Sequence, residues 1–383
     1  MATMRERFIS RREALTLGLA AAGLLVRPRS ADASAAVDQS GAPPGAGGSS
    51  LIVRNARPLD AESPLEALRT FETRNDLFFV RGHHAPPADV STPWTLTIDG
   101  DVARPITLQL EDVRRMRAER RPATIECAGN GRGRFELPAT SGVQWGLGAV
   151  STATWTGVPL AALLERAAVQ PSALHFWMEA ADRSPLPAAP KFLRSIPREA
   201  ALADALVAYE MNGQPVPFLH GGPLRLVMPR WFGMASTKWL THVHARPTES
   251  DNHFMVRGYR YADGSAVDLM RVKSLITAPR DGEKVPARTA RVSGVAWTGS
   301  GTIAKVEISS DDGRTWQEAR CTSEPRPGAW RLWEADVTFP SAGEQRVRAR
   351  ATDTAGETQP DRATPNPAGY GNNSIQEVRV IAS

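Results

Sequence analysis

Residues Thr124 to Arg132 read TIECAGNGR, and the side chain in that stretch with the strongest nucleophilic and metal-ligating chemistry is the thiol of Cys127. It closes a short β-prone run and is followed by Ala128-Gly129-Asn130-Gly131, whose glycines suit a tight turn with little side-chain bulk. A thiol so placed leans from a rigid strand end toward a ligand. Arg132, after the turn, could bring a fixed positive charge back over the same spot, which lowers a thiol pKa and holds an anion beside it. The competing reading is a buried structural cysteine next to an ordinary turn. Further basic residues, Arg81, Arg225 and Lys238, fall with histidines at strand ends and glycine loops, where charge tends to face a cleft. For any one of them a surface ion pair is the rival explanation. Converging arginines favour a small oxyanion or a phosphate-bearing cofactor, because guanidinium is a rigid fork of donors. The negative partner is then the ligand.

The elements that must position these groups alternate short helices and strands with long irregular loops, which points to an α+β organisation. A short helix is expected over Leu65 to Thr70 and a buried strand over Leu77 to Val80, carrying Arg81, His83 and His84 at its end. Trp94 to Gly100 alternates as a half-exposed strand, Leu110 to Arg120 reads as a charged helix, and Leu160 to Ala168 as another. Phe176 to Met178 and Leu224 to Met228 read as strands, Arg198 to Ala203 as a helix and Asn212-Gly213 as a turn. From Leu275 the text is nearly all alternating β pattern bounded by Gly, Pro or Asp, which favours an antiparallel sandwich of immunoglobulin type. Ser309 to Trp316 fits an Asp-box hairpin, but in a single copy, so no propeller follows.

The 383 residues make two domains the reasonable expectation. Residues 1–33 carry paired arginines, Arg11 and Arg12, before a modest apolar run and a small-residue cleavage site, and look like a twin-arginine export signal. That run is too short and alanine-rich for a stable membrane anchor. Residues 34–50 read as a flexible linker, 51–268 as the catalytic domain and 269–383 as the sandwich. Removing the leader takes away six arginines and three acids, leaving 40 basic against 38 acidic residues, so nothing calls for nucleic acid. The export route moves chains already folded around a cofactor, and the expected localisation is the periplasm. Cys127 and Cys321 are the only cysteines; a disulfide between them would be an odd link, and no Cys-x-x-Cys-His attaches a haem to this chain.

The ordered motifs FFVRGH, TIECAGNGR, GVQWGLGAVSTATWTGVPL, AYEMNGQPVP, HGGPLRLVMP, KWL and RGYRY resemble those of the sulfite oxidase family of molybdenum enzymes, over roughly Phe78 to Tyr261. The β-rich tail resembles that family's dimerisation domain. The resemblance implies that Cys127 is the thiolate ligand of a molybdenum whose other sulfurs come from a molybdopterin, one molybdenum per chain. It implies that Phe79, Val80, Arg81, Gly82 and His83 line the cofactor, with Arg81 facing substrate. Asp182, His220, Arg225, Ser236, Thr237 and Lys238 match positions that bind the pterin and its phosphate. Arg132 and Trp145 match substrate-pocket positions, and Tyr259 the tyrosine beside the metal. The implied activity is sulfite dehydrogenase: oxidation of sulfite to sulfate, with electrons passed singly to an external c-type cytochrome and a homodimer formed through the tail. The vertebrate members carry a haem domain ahead of this region, which does not fit before Leu51. The family often has arginine where Ala368 stands, so a cation from the second domain is in question.

The rival enzyme is a periplasmic molybdopterin-dependent sulfoxide reductase, which shares the cysteine and the export signal but lacks the sandwich. Nitrate reduction, in a related branch, comes with fused haem and flavin domains. A non-catalytic binding module built on the sandwich leaves the leader and the clustered arginines unexplained. His84, His242, His244 and His253 have no assigned role, and the tryptophans other than Trp145 are packing residues.

Overall fold

The structure is a computed structural model that describes residues 50–90, 93–135, 140–184, 186 and 188–383. The expected export signal, and the linker before Ser50, lie outside the described residues. The described chain opens on a hairpin of β1 (Ile52–Ala56) and β2 (Leu59–Glu62). Next come β3 (Thr95–Gly100), β4 (Ile106–Gln109), helix α1 (Leu110–Arg114), β5 (Glu119–Glu126), β6 (Val150–Pro159), α2 (Leu160–Arg166), β7 (His175–Ala180) and β8 (Leu193–Pro197). They are followed by α3 (Arg198–Asp204), β9 (Leu206–Met211), β10 (Gln214–Pro215), β11 (Arg225–Val227), β12 (Leu240–Arg246) and the single turn α4 (His253–Val256).

Two five-stranded sheets result, one in the order β10-β9-β6-β5 with β11 also on β9, the other β4-β3-β12-β7-β8. The α+β expectation describes this half, with helices of at most seven residues. Helix α2 buries Leu160, Leu163 and Leu164, the three- and four-residue spacing that puts them on one face, into a core shared with Ile98, Phe176 and Val243. At Asn212 and Gly213 φ is +52° and +75°, the two left-handed residues that a tight β9–β10 hairpin requires. Strand β5 pairs with β6 without a break from Glu119 opposite Gly157 to Glu126 opposite Val150, so its far end is a rigid mount.

From Lys273 onward the chain is strand after strand: β13 (Lys273–Ala278), β14 (Glu283–Val285), β15 (Thr289–Trp297), β16 (Ile303–Ser309), β17 (Gln317–Cys321), β18 (Arg331–Thr338), β19 (Gly343–Asp353) and β20 (Gln376–Ala382). Their order is β13-β15-β18-β17-β16-β19-β20-β14. Strand β17 pairs with β16 through Gln317 to Ala319 and with β18 through Arg320 and Cys321, which joins the two faces of the sandwich. Side chains from both faces, Val292 and Trp333 on one and Ile308, Val347 and Val380 on the other, close one core. The Asp-box is a hairpin turn, its Asp311 carboxylate accepting from Thr315 N at 2.9 Å and Ser309 Oγ at 2.8 Å.

Three expected elements differ. The helix over Leu110 to Arg120 stops at Arg114, because residues from Glu119 onward are drawn into pairing with β6. The run Leu77 to Val80 is buried but makes only one bridge, Val80 to Ala61. Its burial comes from ring packing, with Phe78 stacked on Phe79 at 5.5 Å and edge-on to Trp155 at 6.0 Å, and a short apolar run reads the same either way. Leu65–Leu68 is a 3-10 turn and not a longer helix.

Candidate active site

Cys127 sits one residue past β5, its N–H donating to Ala149 O at 2.9 Å. The turn closes with Asn130 N on Cys127 O at 2.8 Å and Arg132 N on Gly129 O at 2.9 Å. Gly131 has φ of +84°. Gly129 leaves the space into which the Arg132 guanidinium folds: a Cβ there would stand 2.7 Å from Arg132 Nη2.

The sandwich braces this turn from behind. Glu126, the last residue of β5, is buried and accepts from Lys273 Nζ at 3.2 Å, Asn130 Nδ2 at 3.0 Å and Trp297 Nε1 at 2.9 Å. Thr124 N donates to Gly328 O at 2.7 Å, and Trp330 N donates to Thr124 Oγ1 at 2.8 Å. The C-terminal segment adds Gly371 N on Ala128 O and Asn372 Nδ2 on Gly131 O, both at 2.8 Å.

In front of the thiol lies a pocket that opens to solvent. Of the residues singled out in the sequence, Phe79, Arg81, Gly82, His83 and Cys127 line it, as do Asp182, His220, Arg225, Ser236, Lys238 and Tyr259. Val80, Arg132, Trp145 and Thr237 do not. Val80 faces its bridge with Ala61, and Trp145 is 1% exposed within the core beside Ala149 and Ala153. Arg132 is 9% exposed and donates to Ala368 O at 3.0 Å and Val143 O at 3.0 Å. Two of the three nitrogens of its fork, Nε and Nη1, are therefore held by backbone carbonyls. The lining adds Phe192 and Met234, which belong to no motif quoted from the sequence, and Trp239, expected as a packing tryptophan although it stands in the KWL motif. No lining residue comes from the sandwich.

Arg81 has a protein partner that local sequence does not announce: its Nη1 reaches Asp60 Oδ1 at 3.0 Å and Oδ2 at 3.1 Å, and Gly82 N donates to Oδ1 at 3.2 Å. The expectation that a ligand supplies the negative partner does not hold for Arg81. Arg225 and Lys238 have no carboxylate within ion-pair distance among the described residues. Arg225 donates to His220 O at 2.6 Å and Ser236 O at 3.2 Å and lies 4.7 Å from the Trp155 ring centroid. Lys238 donates to Leu219 O at 3.0 Å and lies over Trp239.

Electrostatics follow from burial. Burial lowers Arg225 to about 9, and burial followed by the nearby Arg225 charge lowers Lys238 to about 7. Burial lowers His220 to about 3, so this imidazole is neutral and its Nε2–H donates to Asn75 O at 2.8 Å. Burial, then Arg81, keeps His83 well below its ordinary value, and a 2.5 Å hydrogen bond joins His83 Nε2 to the Tyr259 hydroxyl. The Cys127 thiol is raised by burial, against the opposing pull of Arg81, the Gly129 amide and Arg132 in that order. Arg132 thus does not win a lowered thiol pKa.

The donor set fits an anionic cofactor that carries its own metal ligands. Arg225 and Lys238 line the pocket beside the Cys127 thiol with no carboxylate within ion-pair distance among the described residues, and Thr237 Oγ1, next to Lys238 in sequence, is buried without a partner. Among the described residues no group of three or more His, Cys, Asp or Glu side chains converges on one point, so a metal bound to Cys127 needs donors from elsewhere. Cys127 and Cys321 are both free thiols in this structure. His84, His242, His244 and His253 line no part of the pocket; His244 pairs with Asp99 at 2.6 Å and His84 Nε2 bonds Pro190 O at 3.0 Å.

Residues 83–254 match the family model of the oxidoreductase molybdopterin binding domain, and residues 264–383 that of the Mo-co oxidoreductase dimerisation domain. Fold and site together define a molybdopterin-dependent oxidoreductase. The chain is 36% identical to the sulfite oxidase of Gallus gallus over 342 residues, 82% of this chain and 74% of that one. It is 34% identical to the mitochondrial sulfite oxidase of Homo sapiens over 361 residues, 87% of this chain and 66% of that one. The structure of the sulfane dehydrogenase SoxCD from Paracoccus pantotrophus superposes with a TM-score of 0.78 at 28% identity, covering 92% of this chain and 94% of that chain. The chain belongs to the sulfite oxidase family.

Proposed function

We propose that this protein oxidises sulfite to sulfate and passes the two electrons singly to a separate c-type cytochrome. The single observation that carries the reading is the Cys127 thiol just past β5, facing a pocket that Arg225 and Lys238 also line without an acid partner among the described residues. Sequence similarity to sulfite oxidases over more than four fifths of the chain supports the substrate. Export by the twin-arginine route to the periplasm, one molybdenum per chain and a homodimer through the second domain complete the proposal, the last supported by the dimerisation-domain match.

The balance is sulfite plus water giving sulfate, two protons and two electrons. Bound in the pocket, molybdenum on its pterin supplies the oxygen-atom transfer and accepts the electron pair. Cys127 would supply the thiolate, and because burial raises its pKa the thiol keeps its proton more firmly in the cofactor-free site than it would beside a bound metal. Arg225 and Lys238 would hold the phosphate end, with Ser236 and Thr237 in the same loop, while neutral His220, its Nε2–H taken by Asn75 O, offers its backbone carbonyl to Arg225. Arg81, fixed in direction by Asp60, presents donors to an anion without adding an unbalanced charge. The Tyr259 hydroxyl and His83 form a neutral hydrogen-bonded pair that lines the pocket, where burial keeps the phenol protonated and the imidazole neutral, so the pair orients the hydroxyl. Arg132 fixes the turn that aims the thiol.

A sulfane substrate is the second reading. It is favoured by the near-complete mutual coverage with the sulfane dehydrogenase, and by the carbonyl-bound Arg132, which leaves fewer free cations for a small oxyanion. Sulfite-dependent reduction of ferricyanide and cytochrome c, run beside a small-thiol persulfide and methionine sulfoxide, tests the ranking. Preference for the persulfide, or for the sulfoxide with a reductant, would overturn it.

A further inference from the structure

Arg194, on β8, belongs to no motif and no assigned role. It is 5% exposed. Its Nη1 donates to Phe254 O, its Nε is buried without a partner, and no carboxylate stands within ion-pair distance among the described residues. Its guanidinium carbon lies 5.1 Å from the centroid of the Tyr259 ring. Tyr259 lines the pocket, bonds His83 through its hydroxyl, and stacks on Tyr370 at 5.2 Å with planes 20° apart. Arg132 in turn lies 5.4 Å from the Tyr370 centroid. Four side chains from separate parts of the chain so form one series: guanidinium, phenol, phenol, guanidinium.

Two buried cations lie on two aromatic faces, Arg132 bound by two carbonyls and Arg194 by one with its Nε unpartnered, and neither has a carboxylate within ion-pair distance among the described residues, an arrangement that desolvation opposes. Cation–π attraction offsets part of that cost and fixes the ring planes. The Arg194 charge reaches the pocket side of this wall, where, added to burial and the Arg81 charge, it opposes protonation of His83, the hydrogen-bond partner of Tyr259. The nearby Glu249 is engaged by Arg260 at 3.1 Å, which weakens what it offers Arg194. Burial brings Arg194 down to about 10, so it stays charged at neutral pH.

We propose that Arg194 is a positioning residue of the reaction: its fixed charge, acting through the ring and hydroxyl of Tyr259, makes this wall of the pocket selective for an anionic substrate. The proposal rests on the sulfite reading above for its substrate, and not for its geometry. The test is steady-state sulfite kinetics of the molybdenum-loaded enzyme, with sulfate binding by calorimetry as a second arm that needs no turnover. Arg194→Met raises the sulfite KM and the sulfate Kd about tenfold, the effect of one partly screened charge several ångströms away, with kcat within about twofold. Arg194→Lys recovers most of the loss. In a Tyr259→Phe background the effect of Arg194→Met shrinks, because the hydroxyl that conveys it is gone. Where the Met variant does not accumulate folded, Arg194→Gln keeps a donor for Phe254 O and carries the same expectation. Unchanged KM and Kd in the neutral variants, or a Lys variant as impaired as Met, overturns the inference. Wild-type enzyme that binds sulfate through Arg194 yet turns over no sulfite overturns the substrate reading and leaves Arg194 in place.

Discussion

Lys273 Nζ lies 3.2 Å from Glu126 Oε1, with both side chains almost fully buried, and Glu126 is the residue before the Cys127 thiol. A strand of the sandwich is thereby tied, by an ion pair, to the strand end that aims the thiol. Asn130 and Trp297 complete the carboxylate's hydrogen bonds, so the buried pair is well satisfied. Removing one partner strands the other charge, which costs about 3–5 kcal/mol. Glu126→Gln and Lys273→Met should each lose stability on that scale in urea unfolding, while the double variant loses clearly less than the sum of the two. Additive losses would show that the two groups do not interact.

Cys127 packs only partly into the core, so its replacement tests chemistry more than folding. Cys127→Ser should lose more than about a hundredfold in sulfite turnover, beyond the effect of changing an outer partner of a metal ligand. Thermal unfolding should move by no more than a few degrees. Turnover within tenfold of wild type would remove the thiol from the metal.

Much of this site was legible from residue order. A β-prone run ending in a cysteine and two glycines gives a rigid strand end with a bare turn, and β5 and its turn follow that pattern. The buried cations Arg225 and Lys238 were visible because they flank glycine loops, where no helix face offers them to water. Pairings over long separations were not visible. Lys273 and Glu126 are 147 positions apart, and Asp60 lies 21 before Arg81, with nothing local to mark either. The destination of Arg132 was undetermined for a related reason: a guanidinium after a turn folds either way, and the carbonyls of Val143 and Ala368 decide it. The helix expected through Arg120 failed because strand pairing with β6 outbid local propensity.

Lys238 gives the cofactor-free protein a pH dependence of definite sign. Burial lowers its pKa to about 7, against 10.5 in the unfolded chain. Between those values the unfolded lysine holds a proton that the folded one lacks, so stability rises with pH across that window and is lowest below about 7. Wild-type protein without cofactor should lose about 2–3 kcal/mol between pH 9 and pH 6 relative to Lys238→Met, read by denaturant unfolding at each pH. An anion bound beside Nζ raises the lysine pKa and should flatten the difference. Parallel curves for the two proteins would mean that Lys238 keeps its ordinary pKa.

Asp60 balances the charge of Arg81 from beneath the pocket, with its side chain 1% exposed against 26% for the arginine. Asp60→Asn keeps an oxygen for the Gly82 amide, now 3.2 Å away, and removes the negative charge. Arg81 then faces the pocket as an unneutralised cation, and an anionic substrate and product should both bind more tightly. Sulfite KM is expected to fall by about threefold to tenfold and sulfate inhibition to strengthen in step, from one charge removed at short range in a partly screened site. Because sulfate must leave before the next turn, kcat should fall as well, so kcat/KM changes less than either constant. A KM that rises in Asp60→Asn would mean that the carboxylate's main role is to hold Arg81 in place, with the orientation of the fork outweighing its net charge.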